Sequence, residues 1–284
     1  MQSKRREDGL WTDHNDRSVG SPEQVANRGD ASASPQRQGL PASGSLSPLV
    51  AKLHRLVPLN SGDAAALHSL AQNPRPFVAE QVLISEGVPL DQLPLIERGL
   101  AYCFKALPGG RRQILGYLIP GDLCGLDFAG PESPDYSVAL MSDSMVASVS
   151  IEELSALRSS RPSINRAFLA AALVDRAILR EWLLNVGQRN AFERLSHFFC
   201  ELSVRLRAIG LVNDDGSFDL PLNQVALADT TGLTTVHINR TLQRLRNDGL
   251  IVLRKRRLTI PDPTRLAELA GFDGEYLNIE LSSY

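Results

Sequence analysis

The side chains best placed to do chemistry lie between positions 221 and 260. Val236, Asn239 and Arg240 share one side of a segment whose apolar residues Ile238, Leu242 and Leu245 recur at helical spacing. An Asn amide can pair with the edge of an adenine, and an Arg guanidinium can grip a guanine in bidentate fashion. A cationic run follows, Arg254-Lys255-Arg256-Arg257. Cations of this kind meet phosphates, which fix register without reading sequence. Thr234, Thr235, His237, Arg244 and Arg246 complete the expected phosphate-facing set. Residues 220–260 hold seven Lys and Arg against two carboxylates, a balance of +5, inside a 284-residue chain of net charge −2. Electrostatic fields act locally, so the near-neutral total does not exclude a nucleic-acid partner. The competing reading is a basic helix face that is merely solvated.

The elements needed to position these residues are legible. Leu222-Asn223-Gln224 opens a short helix with Val225, Ala226 and Leu227 as its apolar body, and Thr230-Thr231-Gly232-Leu233 makes a corner. Gly232 supplies the backbone freedom that a tight corner between helices requires. Thr234 is placed to cap a second helix, which Asp248-Gly249 ends. Two apolar runs, Leu250–Leu253 and Leu258–Ile260, bracket the cations as a β-hairpin. Together these form a helix-turn-helix with a wing, whose second helix fits a major groove.

The rest of the chain divides by composition. Residues 1–46 are rich in Ser, Gly, Pro, Gln, Asn and charge, and read as a disordered tail. Two short helices follow in Pro48–Asn73. Short apolar runs across 76–150, separated by turn signals such as Pro108-Gly109-Gly110 and Pro120-Gly121-Asp122, indicate an all-β barrel or sandwich. Ser150 and Glu153 mark the start of a short helix at 151–158. A long helix is expected over 163–189, with Ile164, Phe168, Ala171, Ala172, Ile178, Leu179, Trp182 and Val186 as its apolar stripe. A long helix with a narrow seam needs a partner, most simply its own copy, although the seam can also pack on the β domain. A further helix at 190–208 and a turn at 210–216 lead into the basic segment. The resulting division is a tail at 1–46, a β domain at 47–160, a dimerisation helix at 161–189, a DNA-binding domain at 190–272 and a C-terminal tail at 273–284.

Other chemistries lack their signatures. There is no GxSxG elbow, HExxH pair, P-loop or dinucleotide fingerprint, which argues against an enzyme. Cys103, Cys124 and Cys200 are few and far apart, so neither a disulfide framework nor a cysteine-held iron–sulfur cluster is expected. A thiol switch at Cys103 or Cys124 stands as an alternative to a buried core cysteine. No apolar stretch approaches the ~20 residues of a membrane span, and no secretory signal opens the chain. A cytoplasmic protein without a membrane partner is the expectation.

With these parts in order, residues 50–272 resemble the Crp/Fnr family of bacterial transcription regulators. The resemblance is most specific at Gly232-Leu233-Thr234-Thr235-Val236-His237-Ile238-Asn239-Arg240, and continues through Asn247–Ile251 and Pro263–Gly271. It implies an α+β chain: an N-terminal double-stranded β-helix (β-roll), a long dimerisation helix and a C-terminal winged helix-turn-helix. It further implies a homodimer on a palindromic double-stranded DNA operator, with RNA polymerase as a further partner. Val236, Asn239 and Arg240 then take the family's base-reading positions. The first of these is often Glu in the family, and Val236 favours a thymine methyl instead.

Family members that bind cyclic nucleotides use a Gly-Glu pair for the ribose and an Arg with Ser or Thr for the phosphate. The matching stretch here runs from Pro120 to Asp127, with Leu126 where Glu is expected, and no Lys or Arg occurs between 113 and 157. An unpaired phosphate among carboxylates is unfavourable. We therefore expect no classical cyclic-nucleotide effector and no cofactor. The candidate effector pocket, for another small molecule, comprises Gly121, Cys124, Gly125, Asp127 and Tyr136. The alternative function is a cyclic-nucleotide-type regulatory subunit that binds a protein partner without reading DNA sequence.

Overall fold

The computed structural model describes residues 47–71, 73–126 and 133–279; the N-terminal tail expected at 1–46 and Asp127 of the expected pocket lie outside them. The chain opens with two short helices, α1 (Pro48–Leu56) and α2 (Ser61–Leu70). Asn60 and Asp63 close a reciprocal capping box at the start of α2.

Among the described residues the roll has seven strands: β1 (Arg75–Phe77), β2 (Val82–Ile84), β3 (Gln92–Arg98), β4 (Ala101–Ala106), β5 (Arg112–Leu118), β6 (Ser137–Leu140) and β7 (Ser144–Ser150). They form an antiparallel three-stranded sheet, β1-β7-β3, and a four-stranded sheet, β2-β6-β4-β5. Ile84, Ile96, Ala101, Val138, Leu140 and Val146 fill the space between the sheets. Period-two alternation sends the other faces outward. Leu93, Leu95, Ala147 and Val149 meet α1 and the long helix, whereas Tyr102, Ile114 and Tyr117 meet the C-terminal half of the chain. Strand β1 left little signal in the sequence: it is a three-residue edge strand with Pro76 at its centre, a position only an edge tolerates.

Ser150 caps α3 (Ile151–Ser160) by accepting from the Glu153 amide. Pro162 opens the long helix α4 (Pro162–Gly187), where its missing N–H costs nothing. Asn190 and Glu193 form a capping box that starts α5 (Ala191–Ala208) after a short break. The C-terminal domain then adds β8 (Ser217–Asp219), α6 (Gln224–Thr231), α7 (Thr235–Asn247), β9 (Val252–Arg254), β10 (Arg257–Thr259) and α8 (Pro263–Ala270). The hairpin of the wing acquires a third strand, in the order β8-β10-β9. A 3-10 turn, Glu275–Leu277, packs back on the core through Tyr276 and Leu277.

Candidate nucleic-acid interface

Helices α6 and α7 meet at Gly232, whose φ of +66° lets its amide close the last turn of α6 on the Ala228 carbonyl. Thr234 then caps α7: its hydroxyl accepts from the His237 amide at 3.3 Å and lies 3.1 Å from His237 Nδ1. His237 thus folds back onto the cap. Ile238, Leu242 and Leu245 are buried in the domain core. That seam fixes the rotation of α7 about its axis, and the opposite face carries Val236, Asn239 and Arg240, all exposed. The structure therefore brings the three expected base-reading residues onto one open face. Thr235, at the first turn of α7, is exposed beside the helix N-terminus, which favours an anionic neighbour.

The expected phosphate contacts differ in how they are held. Arg254, Lys255 and Arg256 are exposed at the tip of the wing. Lys255 and Arg256 form its two-residue turn with φ of +48° and +61°. Such a turn normally takes Asn or Gly, because side chains are disfavoured in the left-handed region. Two long cations here sacrifice local stability and put charge at the tip. Arg257 leans back on Asp219 at 3.1 Å, an exposed pair that screening makes weak. Arg244 lies over the Phe192 ring at 4.4 Å and faces Asp248 at 3.6 Å. Arg246 is exposed near the end of α7.

Comparison with known proteins agrees with this arrangement. Residues 193–269 match the Crp-like helix-turn-helix domain, and residues 74–161 match the cyclic nucleotide-binding domain. The transcriptional activator protein FnrL of Cereibacter sphaeroides is 29% identical over 204 residues, covering 71% of this chain and 82% of that protein. The anaerobic regulatory protein of Pasteurella multocida is 29% identical over 214 residues, covering 75% and 77%. The chain belongs to the Crp/Fnr family of transcription regulators. Among solved structures, FixK2 from Bradyrhizobium japonicum superposes with a TM-score of 0.64 at 23% identity, covering 71% of this chain and 98% of that one. The α+β architecture expected from the sequence is the one found, and this Crp/Fnr protein is a DNA-binding regulator rather than an enzyme. Among the described residues no helix is long and apolar enough to cross a membrane.

The regulator's long helix divides the residues expected along its apolar stripe. Ile164, Phe168, Ala171, Ile178 and Trp182 are buried in the protomer's own core, Phe168 against the roll's outer face and Trp182 against Phe198. They are already covered within the protomer. Of the expected interface only Ala172, Leu179 and Val186 lie on the open or half-open side, where Leu169, Leu173, Leu183 and Leu184 join them. Helix α4 has two apolar faces, and periodicity alone merged them.

The expected effector pocket is also divided. Cys124 is buried in the interior of the roll, with Tyr136 packed against the same cluster. Gly121 instead faces α1: a Cβ there would lie 2.5 Å from the Pro48 carbonyl oxygen. Gly125 is buried nearby in chain order, at φ +75°. Burial pushes the Cys124 thiol well above its ordinary range, with Cys103 and Asp122 adding to the effect. Cys200 is pushed up to about 12 by burial. Neither thiol has the low pKa of a reactive cysteine.

The residues that join the roll to the C-terminal domain carry no local sequence signal. Arg112 pairs with Asp229 at 2.7 Å, and the Tyr117 hydroxyl lies 2.7 Å from Thr230 Oγ1. Their partners stand more than one hundred positions away, and no local pattern records such a contact.

Proposed function

We propose that this regulator binds a two-fold symmetric operator as a homodimer, each protomer laying α7 in a major groove. The observation that carries the proposal is the open face of α7, with Val236, Asn239 and Arg240 set opposite the buried Ile238–Leu242–Leu245 seam. Arg240 reads guanine, Asn239 adenine, and Val236 contacts a thymine methyl. Thr234, Thr235, His237, Arg244, Arg246 and the wing cations Arg254–Arg257 face phosphates. The strained turn at Lys255-Arg256 supports this role for the wing, because disfavoured backbone tends to persist where function requires it.

The second copy docks on the open face of α4. Leu169, Ala172, Arg176, Leu179, Leu183 and Val186 alternate at steps of three and four, the spacing of a coiled-coil seam. The exposed side chains of Leu173 and Leu184 widen the strip. The division of labour follows: a sensor roll at 47–160, a dimer helix at 161–189 and a DNA reader at 190–272. The effector is not a classical cyclic nucleotide. Ile84, Ile96, Val138, Leu140 and Val146 make the described interior of the roll largely apolar, and residues 113–157 offer no cation for a phosphate. RNA polymerase is the further protein partner, and the cytoplasm is the site of action.

Selection of bound duplexes from a random pool tests the central reading. The expected result is a palindrome whose half-site centres lie about one helical turn apart. Arg240→Ala should weaken specific binding by about 1–3 kcal/mol and relax the preference at one position of each half-site. Unchanged affinity for the selected palindrome would refute the assignment of Arg240. Calorimetry with millimolar cyclic AMP or cyclic GMP should give no heat of tight binding; a micromolar affinity would refute the effector reading.

A further inference from the structure

The roll holds the reader along one strand. At the start of β5, Arg112 Nε donates to Asp229 Oδ2 of α6 at 2.7 Å while Nη1 donates to the Tyr102 hydroxyl at 2.8 Å. Gln113 Nε2 donates to the Thr230 carbonyl at 3.2 Å. Farther along β5, Tyr117 and Thr230 share a buried hydroxyl contact at 2.7 Å. From α5, Arg194 donates to the Thr231 carbonyl at 2.6 Å and to the Val186 and Arg189 carbonyls at 2.9 Å each. The last turn of α6, which leads into the Gly232 corner, is therefore held by two sets of contacts. One set comes from the roll, and the other ties it through Arg194 to the C-terminal end of the dimer helix.

We propose that this clamp positions the recognition helix, and that Arg112, Tyr117 and Arg194 set the half-site spacing the dimer accepts. The inference rests on the two-fold operator reading above. Covalently, α4 joins the reader only through the short break at Gln188–Asn190; Trp182 packs on Phe198 and Asn185 bonds the Arg194 carbonyl across that break, and the clamp completes the contacts that set the angle between them. In a two-fold dimer that angle fixes the separation of the two α7 helices. One base pair more or less changes the separation by about 3.4 Å and rotates one half-site by about 35°. A pivoting reader follows such a change, whereas a clamped reader does not. None of the three side chains lies on the DNA-facing side of α7, so they are positioning residues and leave base contacts untouched.

The test uses the full chain and duplexes carrying the selected half-sites at the native spacing and at one base pair shorter and longer. The wild type should strongly prefer one spacing. The Tyr117→Phe/Asp229→Asn double variant loses a buried hydroxyl contact and an ion pair, and its spacing preference should fall about tenfold. Its affinity for a single half-site should stay within about twofold at the same salt. Tyr117→Phe alone should show a smaller loss of the same kind, and Thr230→Ser, which keeps the hydroxyl, should retain the sharp preference. Variants as selective as the wild type would overturn the clamp. So would a parallel fall in half-site affinity and melting temperature with spacing preference intact, because the contacts would then serve only to hold the fold. A wild type indifferent to spacing would overturn the two-fold operator reading, and this inference with it.

Discussion

Asp122 offers the sharpest test of how the roll is tied to the rest of the molecule. It sits in the turn after β5 and is 3% exposed. Its Oδ1 accepts from Lys52 Nζ of α1 at 2.7 Å, and its Oδ2 accepts from Arg205 Nη2 of α5 at 3.2 Å and from the Ile119 amide at 3.0 Å. One carboxylate thus joins three elements that are remote in sequence. Asp122→Ala removes the anion and leaves two cations whose side chains are only 19% and 10% exposed. Breaking a buried pair from one side typically costs about 3–5 kcal/mol. Lys52 can swing part-way into water, and Arg205 keeps Glu201 at 3.6 Å and the Tyr117 carbonyl at 2.9 Å. Those compensations place the expected loss near the lower end, about 3 kcal/mol. Urea unfolding at fixed protomer concentration measures it, because a dimer's apparent stability depends on concentration. The pH profile supplies an independent readout. Burial lowers the Lys52 pKa, but Asp122 and Asp175 outweigh it and hold the ammonium above its ordinary value. Its contribution is fully present below the unfolded pKa of about 10.4 and disappears as pH rises through the higher folded value. Asp122→Ala should remove most of that alkaline loss. A destabilisation under about 0.5 kcal/mol would refute the claim that this buried triad ties the three elements together.

The remaining predictions concern the helix faces, the wing and a buried imidazole. Leu183→Glu, at a side chain 71% exposed in the protomer, should convert dimer to monomer in sedimentation with little change in the protomer's own fold. Ile178→Ala should instead cost about 2–5 kcal/mol of stability, because that side chain is buried within the protomer; equal effects of the two on assembly would contradict the division of α4 into two faces. Replacing Arg254, Lys255 and Arg256 with Gln should weaken binding to all duplexes alike and reduce the slope of log affinity against log salt by up to about three. His197 packs edge-on to Phe272 and stacks on Tyr276; burial, then the Arg189 guanidinium, lowers its pKa to about 3. Glu181 lies 3.5 Å away but is already paired with Arg189. The unfolded imidazole titrates near 6.5, so the folded state loses stability as pH falls from there toward 3, by about 2 kcal/mol at pH 5. His197→Phe should flatten the melting temperature across that window, and an unchanged slope would show that other groups carry it.

Local signals recovered the reader and much of the roll. The Gly232 corner, the Thr234 cap and the buried positions Ile238, Leu242 and Leu245 are written in neighbouring residues, because a helix fixes which side chains share a face. Capping residues such as Asn190, with Glu193 three positions on, likewise act within one turn. The short edge strands β1 and β8 were illegible, since three residues are too few to show a period. The expected effector pocket takes its residues from the stretches that match the family's nucleotide site, and the fold turns Gly121 toward α1 while burying Cys124 inside the roll.

By itself the sequence determined which residues share the polar face of α7, where the positive field lies, and that α4 is long and apolar. These are properties of short segments and of composition. Only the tertiary structure decided which of the two apolar faces of α4 the protomer covers. It alone paired Asp122 with Lys52 and Arg205, and locked α6 to β5 through Arg112 and Tyr117. The physical reason is range. Helix periodicity and capping act over a few residues and leave a local trace. A buried ion pair joins whichever side chains the packed core brings together, and their distance along the chain carries no imprint of it.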